Sequence, residues 1–305
     1  MATLERLRDG ALHLLSSRDL VGRSRHCDVH IDARFASNEH AVLHWNGSRW
    51  AVRDLGSRNG THVDGERVMA GADVPLEVGC AVMFGGEEEV WRLLDLAPPS
   101  VLARSLDGGA TQAADDGLLA LPDPDNIAAT VALRQDATWV IERDGREEPV
   151  RDRTIVTLGA ARWLLRLPEP SGTTQTPEGA ARLATLRLGF RVSRDEEHVE
   201  LTVFEGERAF DLGARAHHHP LLLLARQRLR DREDTALPST SHGWLYQDDL
   251  ARMLGLDEQR INVDVYRARK QLAKAGARDA TALVERRPGT RQLRIGADHI
   301  EIASL

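Results

Sequence analysis

The chain is short of the residues on which several kinds of function depend. Its 305 residues include only two cysteines, Cys27 and Cys80, too few for a disulfide scaffold or a zinc site. They read as small buried side chains in a reducing compartment. No apolar run approaches the roughly 20 residues that a membrane span needs, the longest being Pro220 to Ala225. The N-terminus carries Glu5 and Asp9 and offers no unbroken apolar segment of signal-peptide length. A soluble, cytoplasmic protein that engages no membrane is the expectation. A GxxxxGK phosphate loop, a GxSxG elbow, an HExxH pair and a CxxC pair are all missing, and no motif pairs the carboxylates for acid–base work. The chain is therefore not expected to be an enzyme, and no cofactor or metal is implied. His217, His218 and His219 are consecutive, so they point in different directions and chelate poorly; they read as the exposed start of a helix.

What is present is globular: 42% apolar and 29% charged residues, in a length that suits two or three domains of roughly 100–150 residues each. The net charge of −7 argues against general nucleic-acid affinity, but the charge is uneven. From Arg260 to Arg294, ten basic residues (Arg260, Arg267, Arg269, Lys270, Lys274, Arg278, Arg286, Arg287, Arg291 and Arg294) face three acids, Asp264, Asp279 and Glu285.

The most informative stretch runs from Leu20 to Val68. Three polar clusters sit there at loop positions: Gly22-Arg23-Ser24, Ser37-Asn38-Glu39-His40, and Ser57-Arg58-Asn59-Gly60-Thr61. Short β-rich segments separate them and Gly, Asn and Asp punctuate the gaps, a β-sandwich pattern with function gathered at one end. A phosphate group carries about −1.5 to −2 charges and three acceptor oxygens, so its receptor needs a cation and fixed donors. Arg23, Ser37 and Arg58 supply that chemistry. The bland reading, a turn-rich β domain whose polar loops face water, accounts for any one cluster but poorly for three in this order.

The order GR, then SxxH, then DLxSxNGTxVxG resembles the forkhead-associated (FHA) domain, a reader of phosphothreonine peptides. The resemblance implies an FHA sandwich over 1–97, in which Arg23 and Ser37 bind the phosphate and Ser24 lies in the same site. Asn38 and Arg58 would support the phosphate or the peptide, and Asn59 would hold the peptide backbone. Gly22, His40 and Gly60 would be structural, with His40 tying the binding loops together. Asp64 departs from the pattern, standing where many members carry Asn.

Residues 98–117 are small and polar without periodicity and read as a linker. Residues 118–170 return to β character in 118–121, 129–133, 138–142, 154–158 and 163–167. A faint echo of the first domain, AATVALRQDATWVIERDG against EHAVLHWNGSRWAVRDLG, allows a degenerate FHA-like repeat without a phosphate loop; a plain β extension is the alternative. Residues 171–182 form a Thr-rich linker in which Thr173, Thr174 or Thr176 could be phosphorylated and captured in cis, or could simply be soluble tether.

From 183 to 305 the pattern is strands and then helices, an α+β module. Strands are expected at 186–192, 198–204 and 208–212, and helices at 221–229, 247–254 and 258–274. Asp257 is a plausible N-cap for the third helix. Ile261, Val265, Ala268 and Leu272 fall on one face of it and should be buried. The other faces carry Arg260, Asn262, Tyr266, Arg267, Arg269, Lys270 and Lys274, a basic surface of the size a major groove accepts. A hairpin at 282–295 has Arg287 and Arg291 near its tip. INVDVYRARKQL and VERRPGTRQLRI resemble the recognition helix and wing of the winged helix-turn-helix effector domain of OmpR/PhoB-type response regulators. That resemblance implies DNA contacts by Arg260, Asn262, Tyr266, Arg267, Lys270 and Lys274 from the helix, and by Arg287 and Arg291 from the wing.

The expected function is a bacterial-type regulator, with a phosphothreonine-bearing partner (a Ser/Thr kinase or its substrate) at one end and double-stranded DNA at the other. The alternative is a phospho-dependent adaptor whose winged helix binds protein instead.

Overall fold

The structure, a computed structural model, describes residues 1–134, 136–169, 187–277 and 280–305. The expected linker at 171–182, with Thr173, Thr174 and Thr176, lies outside the described residues, as does Arg278. The chain divides into two compact units: Met1–Thr111 with Asp152–Ile155 and Leu164–Ser171, and Gln112–Arg151 with Val156–Trp163 and Gly172–Leu305.

The first unit is built on two sheets. One orders strands Leu12–Leu14, Thr3–Arg6, Val90–Leu93, Ala81–Phe84, Thr61–Val63 and Glu66–Arg67; the other orders Val29–His30, Arg18–Gly22, Ala41–Trp45, Trp50–Asp54 and Asp73–Pro75. Alternation in these strands sends Trp50 and Val52 from one sheet, and Val82 and Phe84 from the other, into a single core with Leu4, Leu43 and Leu93. All seven are fully buried, and each such side chain contributes roughly 1.5–3 kcal/mol of apolar transfer free energy. The sandwich expected for the N-terminus is the observed arrangement.

The expected linker at 98–117 is corrected by the structure. It carries strands Leu102–Ser105 and Thr111–Ala113, with Val101, Leu102 and Ala103 buried. Three apolar residues are too short a run to show a period, so only the packing reveals them. Arg104 from this stretch joins Arg166 in a buried network. Arg104 pairs with Asp28 at 3.2 Å and Asp19 at 3.3 Å, while Arg166 pairs with Asp28 and donates to the Arg18 carbonyl. Burial pushes the Asp19 carboxyl up, but His13, Arg104 and Arg166 together outweigh it and hold it at about 2.

The second unit opens with an antiparallel meander, Leu118–Asp123, Asn126–Leu133, Trp139–Arg143 and Arg146–Pro149, each strand paired with the next. The last of these was invisible to patterning, because an edge strand of sequence REEP buries little and so has no apolar alternation. Strands Arg208–Ala214, Val199–Glu205, Arg187–Val192 and His299–Ser304 form a second sheet, the final pair parallel. Three α-helices follow among the described residues: α1 His219–Glu233, α2 Gln247–Leu254 and α3 Glu258–Lys274. Gly255 ends α2 in the left-handed region at φ +64°, and the Asp257 carboxylate caps α3 by accepting the Arg260 N–H at 2.7 Å. A small sheet of Leu245–Tyr246, Gln292–Ile295 and Val284–Arg286 completes the hairpin. Ile261, Val265, Ala268 and Leu272 are buried in one core with Leu221, Leu224, Leu250 and Ile295.

The histidine run is also corrected. His218 is fully buried rather than part of an exposed helix start. Its Nδ1 contacts the Val199 carbonyl at 3.1 Å and its Nε2 contacts Gln271 Oε1 at 2.9 Å, which His217 Nε2 also reaches at 2.9 Å. Burial pushes both imidazoles down, so they are neutral polar ties between a sheet and α3.

Candidate functional site

The three polar clusters of the N-terminal unit come together at the strand ends, held by backbone hydrogen bonds. The Arg23 N–H donates to the Ser37 carbonyl at 2.9 Å and the Ser24 N–H donates to the Asn38 carbonyl at 3.0 Å. So close an approach needs a residue without a side chain beside it. A Cβ on Gly22 would lie 2.4 Å from the Asn38 oxygen and 3.0 Å from the His40 nitrogen. The third cluster joins through Ser37 Oγ, which accepts the Arg58 N–H at 3.1 Å, and through Asn59, whose Nδ2 donates to the Phe35 carbonyl at 2.7 Å.

His40 binds the loops from beneath. It is fully buried; its Nδ1 accepts the Ser37 N–H at 3.2 Å and its Nε2–H donates to the Gly60 carbonyl at 3.2 Å. Burial pushes its pKa down, against the hydrogen bond to Gly60, which favours this neutral tautomer. Gly60 adopts φ +84°, and a Cβ there would meet Arg67 Nε at 2.7 Å.

Two organisers of this site have no role in the sequence reading, although Asp54 opens the DLxSxNGTxVxG motif. Asp54 accepts the Gly56 and Ser57 N–H groups at 2.8 and 2.9 Å on Oδ1, and the Ser57 and Thr61 hydroxyls at 2.6 and 2.7 Å on Oδ2. Burial pushes its pKa up, but these hydrogen bonds outweigh burial and hold the carboxyl below its ordinary value. The signal for it was an Asp two residues before a Gly and three before a Ser, the spacing of an Asx turn. Gly85, at φ +81°, lets the Phe35 carbonyl approach to 2.8 Å of where a Cβ would stand. It lies outside the three clusters, so spacing within them did not point to it.

The cationic groups of the assembled loops are left open. Arg23 is exposed and only its Nε is engaged, with the Ala36 carbonyl at 3.3 Å. The guanidinium of Arg58 is exposed and makes no hydrogen bond or ion pair among the described residues. Ser24 Oγ contacts His26 Nδ1 at 2.6 Å, and His26 Nε2 contacts Glu39 at 3.0 Å. Asn38 is exposed. Asp64 sits in the left-handed region at φ 50° and its carboxylate accepts the Ala81 N–H at 2.8 Å. Both cysteines are free and buried, and Cys27 Sγ contacts the Asn38 carbonyl at 3.2 Å. Exposed cations and hydrogen-bond donors are thus gathered at one end of the sandwich, a chemistry that suits a compact anion.

The basic helix differs from its expected form. Tyr266 and Arg269, expected on an open surface, are 3% and 4% exposed. Val263, Tyr266, Leu118, Ala120, Ile127 and Ala132 form one apolar cluster, so the meander covers this side of α3. A residue can lie opposite the core face of a helix and still be buried when another layer packs there, which periodicity alone does not show. Arg260 pairs with Asp264 at 3.0 Å, Arg267 with Asp125 at 2.9 Å, Lys270 with Asp115 and Arg291 with Glu258. Asn262 Oδ1 accepts from Gln247 and Arg286, each at 3.1 Å. Arg287 is exposed, lies over the Trp244 ring at 5.8 Å and donates to Gln292 at 3.2 Å. Lys274 is exposed and unpaired among the described residues. No cluster of three or more potential metal ligands occurs among the described residues, and no helix there is long and apolar enough to cross a membrane.

The FHA domain family matches residues 20–85. An Arabidopsis thaliana protein named as a protein phosphatase 1 regulatory inhibitor subunit (PPP1R8 homolog) is 36% identical over 98 residues, covering 30% of this chain and 26% of the relative. The FHA domain-containing protein FhaB of Mycobacterium tuberculosis is 39% identical over 66 residues, 22% of this chain and 41% of the relative. The chain thus spans about a quarter and about two fifths of the lengths of these relatives. Among solved structures, Mycobacterium tuberculosis EmbR in complex with a low-affinity phosphopeptide is 26% identical, with a TM-score of 0.29, over 32% of this chain and 25% of that one.

Proposed function

With residues 20–85 an FHA domain, we propose that this chain is a phosphothreonine-peptide-binding regulatory protein that couples Ser/Thr-kinase signalling to DNA binding. The observation that carries the first half is the loop assembly around Ser37. Its hydroxyl accepts the Arg58 N–H, His40 holds its backbone N–H and Asp54 shapes the loop that carries Arg58, while the Arg23 and Arg58 guanidiniums keep charge free for an incoming phosphate. Arg23, Ser24 and Ser37 take the phosphate; Asn38 and Arg58 support it or the peptide, and Asn59 holds the peptide backbone. Fixed donors and a cation together favour a dianionic phosphate over a carboxylate.

The second half rests on the order of elements in the C-terminal module. Helix α2, a tight turn, the basic helix α3 and a hairpin with Arg287 and Arg291 at its tip correspond to a winged helix-turn-helix. Such a helix reads base edges in the major groove while the wing and flanking cations meet phosphates.

A phosphothreonine-peptide library screened against the full chain tests the first half, with Arg23→Ala as control. Selective retention of phosphorylated peptides, lost in the variant, supports it; equal retention of unphosphorylated peptides overturns it. Mobility shift on double-stranded DNA across a salt series tests the second, since each phosphate contacted steepens the log–log salt slope by about 0.9.

A further inference from the structure

Helix α3 is the most basic element of the second unit, yet three of its cations are taken by carboxylates on or beside one neighbouring sheet: Glu142 on a strand, Asp125 in a turn, and Asp115 just ahead of the first strand. Arg269 makes a two-pronged pair with Glu142, Nη1 to Oε2 and Nη2 to Oε1, both at 2.8 Å. Arg286 from the hairpin adds a third bond to the same carboxylate at 3.0 Å. Arg267 meets Asp125 at 2.9 Å and Lys270 meets Asp115. Gln259, at the start of the helix, contacts Asn126.

Between these polar ties the contact is apolar. Leu118 and Ala132 are register partners on adjacent strands, as are Ala120 and Thr130, and Thr130 is in turn the partner of Glu142. Register partners lie on the same sheet face, so this face carries the apolar patch and the anchoring carboxylate together. Leu118, Ala120, Ile127 and Ala132 pack on Val263 and Tyr266, all less than a tenth exposed. The turn between the last two strands reaches the hairpin, where a Cβ on Gly145 would lie 3.4 Å from Arg291 Cβ.

We propose that the meander Leu118–Pro149, with Asp115 just ahead of its first strand, is an intrachain cover for the nucleic-acid face of α3, the acids Asp115, Asp125 and Glu142 occupying cations that would otherwise meet DNA phosphates. This rests on the DNA-binding reading above. A helix so covered cannot enter a groove until the sheet leaves. The cover is matched in charge and in apolar shape, as an intramolecular competitor must be. In sequence it stands between the FHA domain and the helix it covers.

The chain contains two tyrosines, one on each side of the issue. Tyr246 is 50% exposed and Tyr266 is 3% exposed, so nitration with tetranitromethane reads the cover directly. In the full native chain Tyr246 should nitrate, with Tyr266 protected by a factor of at least about ten. Glu142→Arg combined with Asp125→Lys, both on the sheet side, should release Tyr266 and tighten binding to sheared double-stranded DNA at low salt about tenfold. A second pair, Asn126→Cys with Gln259→Cys joined by a short bismaleimide, should keep Tyr266 protected and suppress DNA binding below the uncrosslinked form. Should the charge-reversed chain fail to fold, this second comparison decides alone. Rapid nitration of Tyr266 in the native chain overturns the proposal, and so does equal DNA affinity with and without the crosslink. If Tyr266 is released in the variant while neither form binds DNA, the cover is supported and the DNA-binding reading is what fails.

Discussion

The loops around Ser37 and the helix α3 use arginine in opposite ways. Around Ser37 the guanidiniums of Arg23 and Arg58 are exposed and meet no carboxylate, although backbone hydrogen bonds and buried side chains hold the loops beneath them rigidly. Along α3, Arg260, Arg267, Arg269 and Lys270 each have an acid partner. A free cation on a fixed frame is arranged for a ligand that arrives; a paired one is already engaged by the protein. Local composition does not show which arginines are paired, since the partner of each is set by the fold.

That contrast yields separable expectations. Replacing Glu142 with Ala leaves Arg269 and Arg286 buried without their shared counter-ion, which should destabilise the second unit by about 3–5 kcal/mol. Denaturant unfolding of the full chain followed at both units measures this, and phosphopeptide affinity should not move. Arg23→Ala should do the reverse. Loss of charge-assisted hydrogen bonds worth about 1.5–3 kcal/mol each weakens a phosphothreonine peptide on the order of 100-fold, with unfolding unchanged. Calorimetric titration would show it, and an unaltered Kd would remove Arg23 from the site.

A smaller effect is expected at Asp54, which shapes a loop without facing a ligand. Asp54→Asn keeps the volume but removes the charge that accepts four hydrogen bonds. Peptide affinity should fall by about tenfold together with a modest loss of stability in the first unit, a combination that neither Arg23→Ala nor Glu142→Ala produces.

The least effect should come from pH. Burial depresses the pKa of His40 and of His218, so the unfolded chain binds the proton more readily than the folded one. Their contribution is complete above the unfolded value of about 6.5 and is lost as pH falls through it toward the folded value. His40→Gln should flatten the slope of first-unit stability between about pH 6.5 and 5, read from unfolding midpoints. Asp19 and Glu142, held at about 2, act lower. Their contributions are present above the unfolded carboxylate values near 4 and disappear as pH falls toward 2.

The sandwich and its loops were legible because each cluster there is local. Gly22, Ser37, His40 and Gly60 lie in short runs whose residue types and order are visible in the sequence, and three such runs in order leave few alternatives, although His40 meets Gly60 across 20 positions and Arg58 meets Ser37 across 21. Asp54 was readable in principle from its turn spacing. The helices were legible for the same reason: Asp257 caps its own helix, and Ile261, Val265, Ala268 and Leu272 share a face by periodicity alone. Other features depend on residues far apart in the chain. Arg104 and Arg166 reach Asp28 across 76 and 138 positions, and Glu142 meets Arg269 across 127. A periodic pattern tells which side of a helix is apolar, not what packs on the other side, so the covering of Tyr266 by Leu118 and Ile127 could not be foreseen. The match of residues 20–85 to the FHA family and the apolar face of α3 follow from local patterns in the amino-acid order. Whether each basic group is open or engaged was settled only by folding, because an ion pair's partner is chosen by proximity in space.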